Sequence, residues 1–378
     1  MKIVTAPDRT PAREKLLTAR RELSEALIER DGEIDLVLTA LICQEHALLI
    51  GRPGTAKSLL LDALLRWTGG RRFTALLSKF TTPDELFGPV SLAGLKEDRY
   101  RRVTAGKLPE ADLAFLDEVF KAGPAVLNTL LRLLNERVFE DGDGSLVRAP
   151  LLLCVAASNE WPDPQEGGKE LAAVFDRFLF RRAVRPVVSQ AGRRRLLWGG
   201  DHAPRLSTAV TPAELRQATA EALALPWSDE AKDALEAVLR ELAKEGVMPG
   251  DRRQYKAVSA ARAFAYLCGA DGVEPEHLEA LADVLWDDPA EQPDACARVI
   301  ARVANPPGMR VGRLLLECEE VLAGCDTRDL ARAAAASAKL GEIEKALGRL
   351  GGDERAERAR AYVREQARLL KLASLESL

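Results

Sequence analysis

Aromatic residues are scarce in this chain, 5% of 378. That leaves little material for a platform on which single-stranded nucleic acid could stack. There are only three histidines, with no HExxH and no His/Cys cluster, so a structural zinc site is not expected. The six cysteines stand at 43, 154, 268, 296, 318 and 325 and form no CxxC pair. Cys154 lies inside the apolar run LLLCVAAS, so reduced and mostly buried thiols are expected. No apolar run approaches the roughly 18 residues of a membrane-spanning helix. The opening MKIVTAPDRTPAREK lacks the apolar core of a secretory signal. A cytoplasmic protein without a membrane span is therefore expected. A basic excess is missing too: 54 Lys+Arg face 58 Asp+Glu, a net charge of −4. This excludes a generally basic nucleic-acid coat, though not a local basic channel.

What the chain does have is apolar material, 47% hydrophobic residues against 30% charged, enough for two or three domains. Residues 1–187 alternate helical and strand-like segments. Ala12 to Glu29 reads as a helix and His46 to Ile50 as a strand. Ser58 to Trp67 is a second helix, and Phe73 to Ser78 a second strand. Further apolar runs follow at 111–116, 151–157 and 178–184, with leucines at helical spacing in 125–135. Continuous apolar strands between helices indicate an α/β fold with a parallel sheet covered on both faces. Residues 188–288 read as an all-helical domain, with Thr211-Pro212-Ala213-Glu214 as one helix start. Residues 289–378 read as a helical arm. Its last two helices, 327–349 and 353–374, are split by Gly351-Gly352 into a hairpin.

The most specific signal is Gly51-Arg52-Pro53-Gly54-Thr55-Ala56-Lys57-Ser58, between a strand and a helix. That context is the one a P-loop requires. Backbone N–H groups at a helix start face the β-phosphate, and the helix dipole favours the anion. Lys57 would reach the β- and γ-phosphates, and the Ser58 hydroxyl would ligate Mg²⁺. Gly51, Pro53, Gly54, Thr55, Ala56, Lys57, Ser58 and Leu59 are the residues expected around ATP. Ala56 stands where a glycine is usual. Its methyl is tolerated at negative φ and costs about 1–2 kcal/mol at positive φ.

A second element is Leu113-Ala114-Phe115-Leu116-Asp117-Glu118, an apolar strand ending in two acids about sixty residues downstream. Asp117 would hold the Mg²⁺ shell, and Glu118 would orient and polarise the attacking water. A third is Ala156-Ala157-Ser158-Asn159, which places a neutral amide at a strand end beside the γ-phosphate. A fourth is Asp176-Arg177-Phe178, where Arg177 could reach a neighbouring subunit's γ-phosphate. Arg181 and Arg182 are rivals at the same edge. A fifth is Gly250-Asp251-Arg252-Arg253 in the helical domain, where either arginine could reach the phosphates of its own subunit.

This order of motifs resembles that of AAA+ ATPases. The stretches TPDELFG at 82–88 and GKLPEAD at 106–112 resemble the MoxR branch. FLDEVFKAGPAVLNTLLRLLNER at 115–137 and VAASNE at 155–160 are similar to its RavA-like subgroup. The resemblance covers roughly residues 10–290. It implies an αβα nucleotide-binding core, a helical lid and a six-membered ring, a hexamer. It also implies ATP bound between subunits and a chaperone-like action on a protein partner that carries a von Willebrand factor A domain. Under it, Asn159 is sensor 1, Arg177 the trans finger, and Arg252 or Arg253 sensor 2. Two insertions are expected as hairpins. One spans 88–107 with its turn at 96–99, and the other spans 137–150 with its turn at 141–144. Two rival readings stand beside this one. A nucleic-acid loader or helicase would use Arg101-Arg102 and Arg193-Arg194-Arg195. An ATP-gated scaffold would bind nucleotide with little turnover.

Overall fold

The computed structural model describes residues 10–141, 144–162, 168–200, 202–304, 306–325, 330–350 and 354–376. Its main sheet has five parallel strands in the order β2-β3-β6-β1-β7. These are β1 (His46–Ile50), β2 (Arg72–Leu76), β3 (Leu113–Asp117), β6 (Leu153–Ser158) and β7 (Phe178–Ala183), while β4 (Val138–Glu140) and β5 (Leu146–Arg148) form a separate antiparallel pair. The inner strands β1 and β6 are buried along their whole length, which is why they read as unbroken apolar runs. The edge strand β2 instead exposes Arg72, Thr74 and Leu76.

The helices are α1 (Pro11–Ala26), α2 (Asp31–Cys43), α3 (Lys57–Trp67), α4 (Pro83–Phe87), α5 (Leu92–Lys96), α6 (Pro124–Glu136), α7 (Gly168–Arg177) and α8 (Gln190–Trp198). After them come α9 (Pro212–Leu223), α10 (Asp229–Lys244), α11 (Asp251–Leu267), α12 (Gln292–Val303), α13 (Pro307–Ala323), α14 (Leu330–Gly348) and α15 (Glu354–Glu376). The sequence pattern did not suggest α2. Its residues 33–42 are all buried, so it shows no apolar stripe and no 3.6-residue period. The expected hairpin at 88–107 is absent. Ser91 caps the single-turn helix α5 by accepting from the Gly94 N–H, and a single antiparallel bridge, Val90 with Arg102, closes the segment. Arg102 turns inward to Asp84 and the Gly88 carbonyl instead of lying on an exposed strand. The second hairpin does form as β4–β5, with Asp141 accepting from Gly144 N–H; Gly142 and Asp143 of its turn lie outside the described residues.

The chain packs as two compact units. One comprises Met1–Ser228, Met248–Val273 and Ala280–Pro293; the other comprises Asp229–Val247, Glu274–Glu279 and Asp294–Leu378. These units interleave along the sequence and do not follow the consecutive divisions at 187 and 288. In the first, α9 and α11 pack with α1 and α2. Arg13 donates to the Tyr266 carbonyl at 3.1 Å and lies over its ring, and Tyr266 donates its hydroxyl to Glu221 at 2.6 Å. In the second, the hairpin α14–α15 gains a third helix. Val311 and Cys318 of α13 join Leu340, Ile343, Leu347 and Val363 in one apolar core, making a three-helix bundle.

Candidate nucleotide site

The parallel order puts three strand ends side by side, with β6 between β3 and β1. Register aligns Leu116 with Ala156, and Ile50 with Ser158. The loop after β1, Asp117-Glu118 after β3 and Asn159 after β6 therefore share the carboxyl edge of the sheet. Gly51 donates to the Ser158 carbonyl at 3.0 Å. A Cβ on Gly51 would lie 2.4 Å from the Val184 carbonyl oxygen, so only glycine fits there. Gly54 has φ +79 and open space around it. Ala56 has φ 65 and ψ 15, the left-handed region, so its methyl is strained. The eleven-residue helix α3 begins at the next residue.

Lys57 is buried, and its ammonium donates to the carbonyls of Gly51 and Arg52. Burial lowers its proton affinity, and Asp117 and Glu118 pull it back up. A buried cation, a helix start and a loop with room at Gly54 form a cradle that fits a phosphate chain. Among the described residues no group of three or more His, Cys, Asp or Glu could hold a metal. A Mg²⁺ at Ser58 and Asp117 would therefore lean on phosphate oxygens and water, which fits this ion's habit of keeping few protein ligands.

Glu118 is 8% exposed and sits at φ 54, also left-handed. The Asn159 side-chain amide donates to Glu118 Oε1, and the Asn159 N–H to Oε2 at 3.4 Å. Lys121 Nζ lies 3.2 Å from Oε1. Arg30 was not anticipated. It is buried, and its Nε donates to the Thr55 carbonyl at 3.1 Å while its Nη2 donates to the Arg185 carbonyl at 2.8 Å. It thereby fastens the phosphate loop to the chain leaving β7. Its partners lie 25 and 155 residues away, so no local pattern marks it.

Arg177, Arg252 and Arg253 lie at the opposite edge, whereas Arg181 and Arg182 sit within β7 beside Leu48 and Leu49. β1 and β7 run parallel, with His46 beside Phe178 and Ile50 beside Ala183. Arg177 is thus at the amino end of β1, while the P-loop leaves its carboxyl end. Four rises separate them, ~13 Å of strand. A cavity of 240 Å³ at this edge is lined by Arg177, Arg252, Arg253 and Lys256, with Asp176 and Asp287. The expectation that Arg252 or Arg253 reaches phosphates in its own subunit does not fit this placement. Arg253 is also spent internally: it donates to the carbonyls of Leu179 and Val284 at 3.0 and 2.9 Å and pairs with Asp287 at 3.0 Å. Arg252 is exposed and donates to Asn135 Oδ1 at 2.6 Å. The two rivals to Arg177 are internal as well. Arg181 is 1% exposed, lies 4.0 Å above the Phe175 ring and donates to the Trp286 carbonyl at 2.9 Å. Burial, with Arg253 nearby, drives its pKa down to about 9. Burial lowers the pKa of Arg182, but its forked pair with Asp283, together with Glu33 and Asp35, raises it overall. Arg177 pairs with Asp176 at 2.9 Å, and its Nε is buried without a hydrogen-bond partner.

The model of the MoxR domain in the MoxR–vWA–β-propeller ternary systems matches residues 14–223, more than half of the chain. The chain belongs to the MoxR family of AAA+ ATPases. An AAA lid domain model matches residues 231–298. An uncharacterized protein of Methanocaldococcus jannaschii is 39% identical over 274 residues, covering 72% of this chain and 71% of its own. The chaperone MoxR1 of Mycobacterium tuberculosis is 30% identical over 165 residues, covering 42% of this chain and 41% of its own. The crystal structure of a protein assigned as an ATPase from Cytophaga hutchinsonii superposes with a TM-score of 0.59 at 19% identity, covering 73% of this chain and 86% of that one. The last likeness concerns the fold alone. Among the described residues no helix is long and apolar enough to cross a membrane.

Proposed function

We propose that this MoxR-family chain hydrolyses ATP with Mg²⁺ in a ring of six subunits and uses the cycle to remodel or activate a protein partner. The observation that carries this reading is the convergence of Lys57, Asp117, Glu118 and Asn159 on one sheet edge while Arg177 and Arg252 stand at the other. In this reading Lys57 and the loop N–H groups hold the phosphates, and Ser58 and Asp117 hold the metal shell. Mg²⁺ supplies charge neutralisation on the phosphate oxygens. Asn159 orients a water and Glu118 takes its proton as the water oxygen bonds to the γ-phosphorus. The bond from that phosphorus to the bridging oxygen breaks, leaving ADP and phosphate. Arg177, and Arg252 beside it, serve the nucleotide of the adjoining subunit.

In this reading 1–187, 188–288 and 289–378 are nucleotide core, lid and arm along the sequence, although the packed units cross these bounds. The partner we favour carries a von Willebrand factor A domain, because the matching family model is that of systems pairing a MoxR domain with such proteins. A chaperone-like role is supported by the name of the mycobacterial relative. The finer RavA-like assignment rests on residues 115–137 and 155–160. The test is ATP turnover and fluorescent-nucleotide affinity of the wild type and Glu118→Gln. Retained affinity with turnover reduced ~10²-fold or more is expected for loss of a general base. Equal turnover in both proteins would sink the reading and favour the scaffold.

A further inference from the structure

We propose that Lys121 is a positioning residue that parks Glu118 against Asn159, so that turnover requires the Lys121–Glu118 contact to open. This rests on the reading of Glu118 as the group that activates water. Glutamate in the left-handed region is strained, and such strain persists only where neighbours over-determine the conformation. Here the neighbours are on the page. Residues 119–121 form one 3₁₀ turn, and the Lys121 N–H donates to the Glu118 carbonyl at 2.9 Å. From the same residue, Nζ lies 3.2 Å from Glu118 Oε1, the oxygen that also accepts from the Asn159 amide. The other oxygen faces the Asn159 N–H.

Both carboxylate oxygens are therefore engaged, and one of them by a cation. A water that Glu118 is to activate needs one of these oxygens, so one of the present contacts has to open first. Of its partners only Lys121 has an easy alternative. Its side chain is 53% exposed, against 11% for that of Glu118. Water can receive the ammonium, whereas Asn159 is fixed to the end of β6. The turn also has a mechanical neighbour. Phe120 packs against Phe175 of α7, with ring centroids 6.3 Å apart, and α7 ends at Arg177. The clasp on Glu118 thus sits on a segment in contact with the helix that carries the candidate intersubunit arginine.

The test uses the full chain and compares Lys121→Met, Lys121→Arg, Glu118→Gln and the double variant Lys121→Met/Glu118→Gln. Steady-state hydrolysis and fluorescent-nucleotide affinity are measured for each. Lys121→Met is expected to raise kcat ~2–5-fold, the size of effect an exposed ion pair can exert, with KM and affinity unchanged. Lys121→Arg should return the wild-type rate. In the Glu118→Gln background, Lys121→Met should give no gain, since the group it releases is gone. A kcat for Lys121→Met at or below wild type, or a gain that survives in the double variant, overturns the proposal. If Glu118→Gln turns over like the wild type, the parent reading fails; that result is distinct from a slow Glu118→Gln with an unresponsive Lys121→Met.

Discussion

At the scale of single residues, the phosphate loop carries a cost that one atom group explains. Ala56 holds φ 65 where its methyl crowds the following carbonyl. Ala56→Gly should relieve that crowding, while the added freedom of glycine in the unfolded chain takes part of the gain back. A net stabilisation of about 0.5–1 kcal/mol is expected, read from urea unfolding of the two proteins side by side. The opposite change one turn earlier has the opposite sign. A Cβ at Gly51 meets a backbone oxygen at 2.4 Å, which no rotamer can relieve. Most of the loop was legible in the sequence because its residues are contiguous and their spacing is the chemistry. Arg30 and Lys121 were not. The first acts on a carbonyl 25 residues away and the second through a backbone angle that no residue type announces. Arg252 and Arg253 were equal in the sequence and differ in burial and in the partners that burial gives Arg253.

Elements follow the same logic one level up. The inner strands β1, β3 and β6 were readable because burial on both faces makes them uniformly apolar. The same uniformity hid α2, since a helix buried on every side loses its period. The segment at 88–107 failed for another reason: one bridge and a helical turn satisfy its backbone where two paired strands were expected. A third case is His277, at the start of the 3₁₀ segment Pro275–Asp283, in the part that belongs to the second unit. It is 3% exposed, and its Nδ1 accepts from the Glu274 N–H at 2.9 Å. Burial lowers its pKa from 6.5 to about 4. The folded form therefore resists a proton that the unfolded form accepts. The stability this represents is whole above pH 6.5 and drains as pH falls toward 4. Between pH 7 and pH 5 the loss is about 2 kcal/mol. His277→Asn keeps an acceptor near Nδ1 and cannot titrate. Its urea midpoint should fall less over that interval than the wild type's; identical slopes would remove His277 from the account of acid lability.

For the whole molecule, the decisive feature is a separation. The phosphate loop and Glu118 lie at the carboxyl edge of the sheet, and Arg177 lies at the amino edge beside Arg252. A parallel sheet cannot bring its two edges together, so one chain cannot present both to one phosphate. Two chains can, if the amino edge of one faces the carboxyl edge of the next. That contact is head-to-tail, and head-to-tail contacts close into rings when the rotation allows. The consequence is a complementation that neither variant shows alone. Arg177→Ala should bind ATP and turn over ~10³-fold or more slower, the size of effect an arginine finger has elsewhere. Lys57→Ala should bind nucleotide poorly and also be slow. Mixed in equal amounts, they form some junctions in which a sound phosphate loop meets a sound Arg177. About a quarter of junctions pair in this way if the subunits mix at random, and activity should return in that proportion. Capture of one variant through an affinity tag carried only by the other, with slowly hydrolysed nucleotide present, shows whether the subunits co-assemble. A co-assembled mixture that stays as slow as its parents would mean that Arg177 serves its own chain's fold through Asp176, and that the second chain completes nothing.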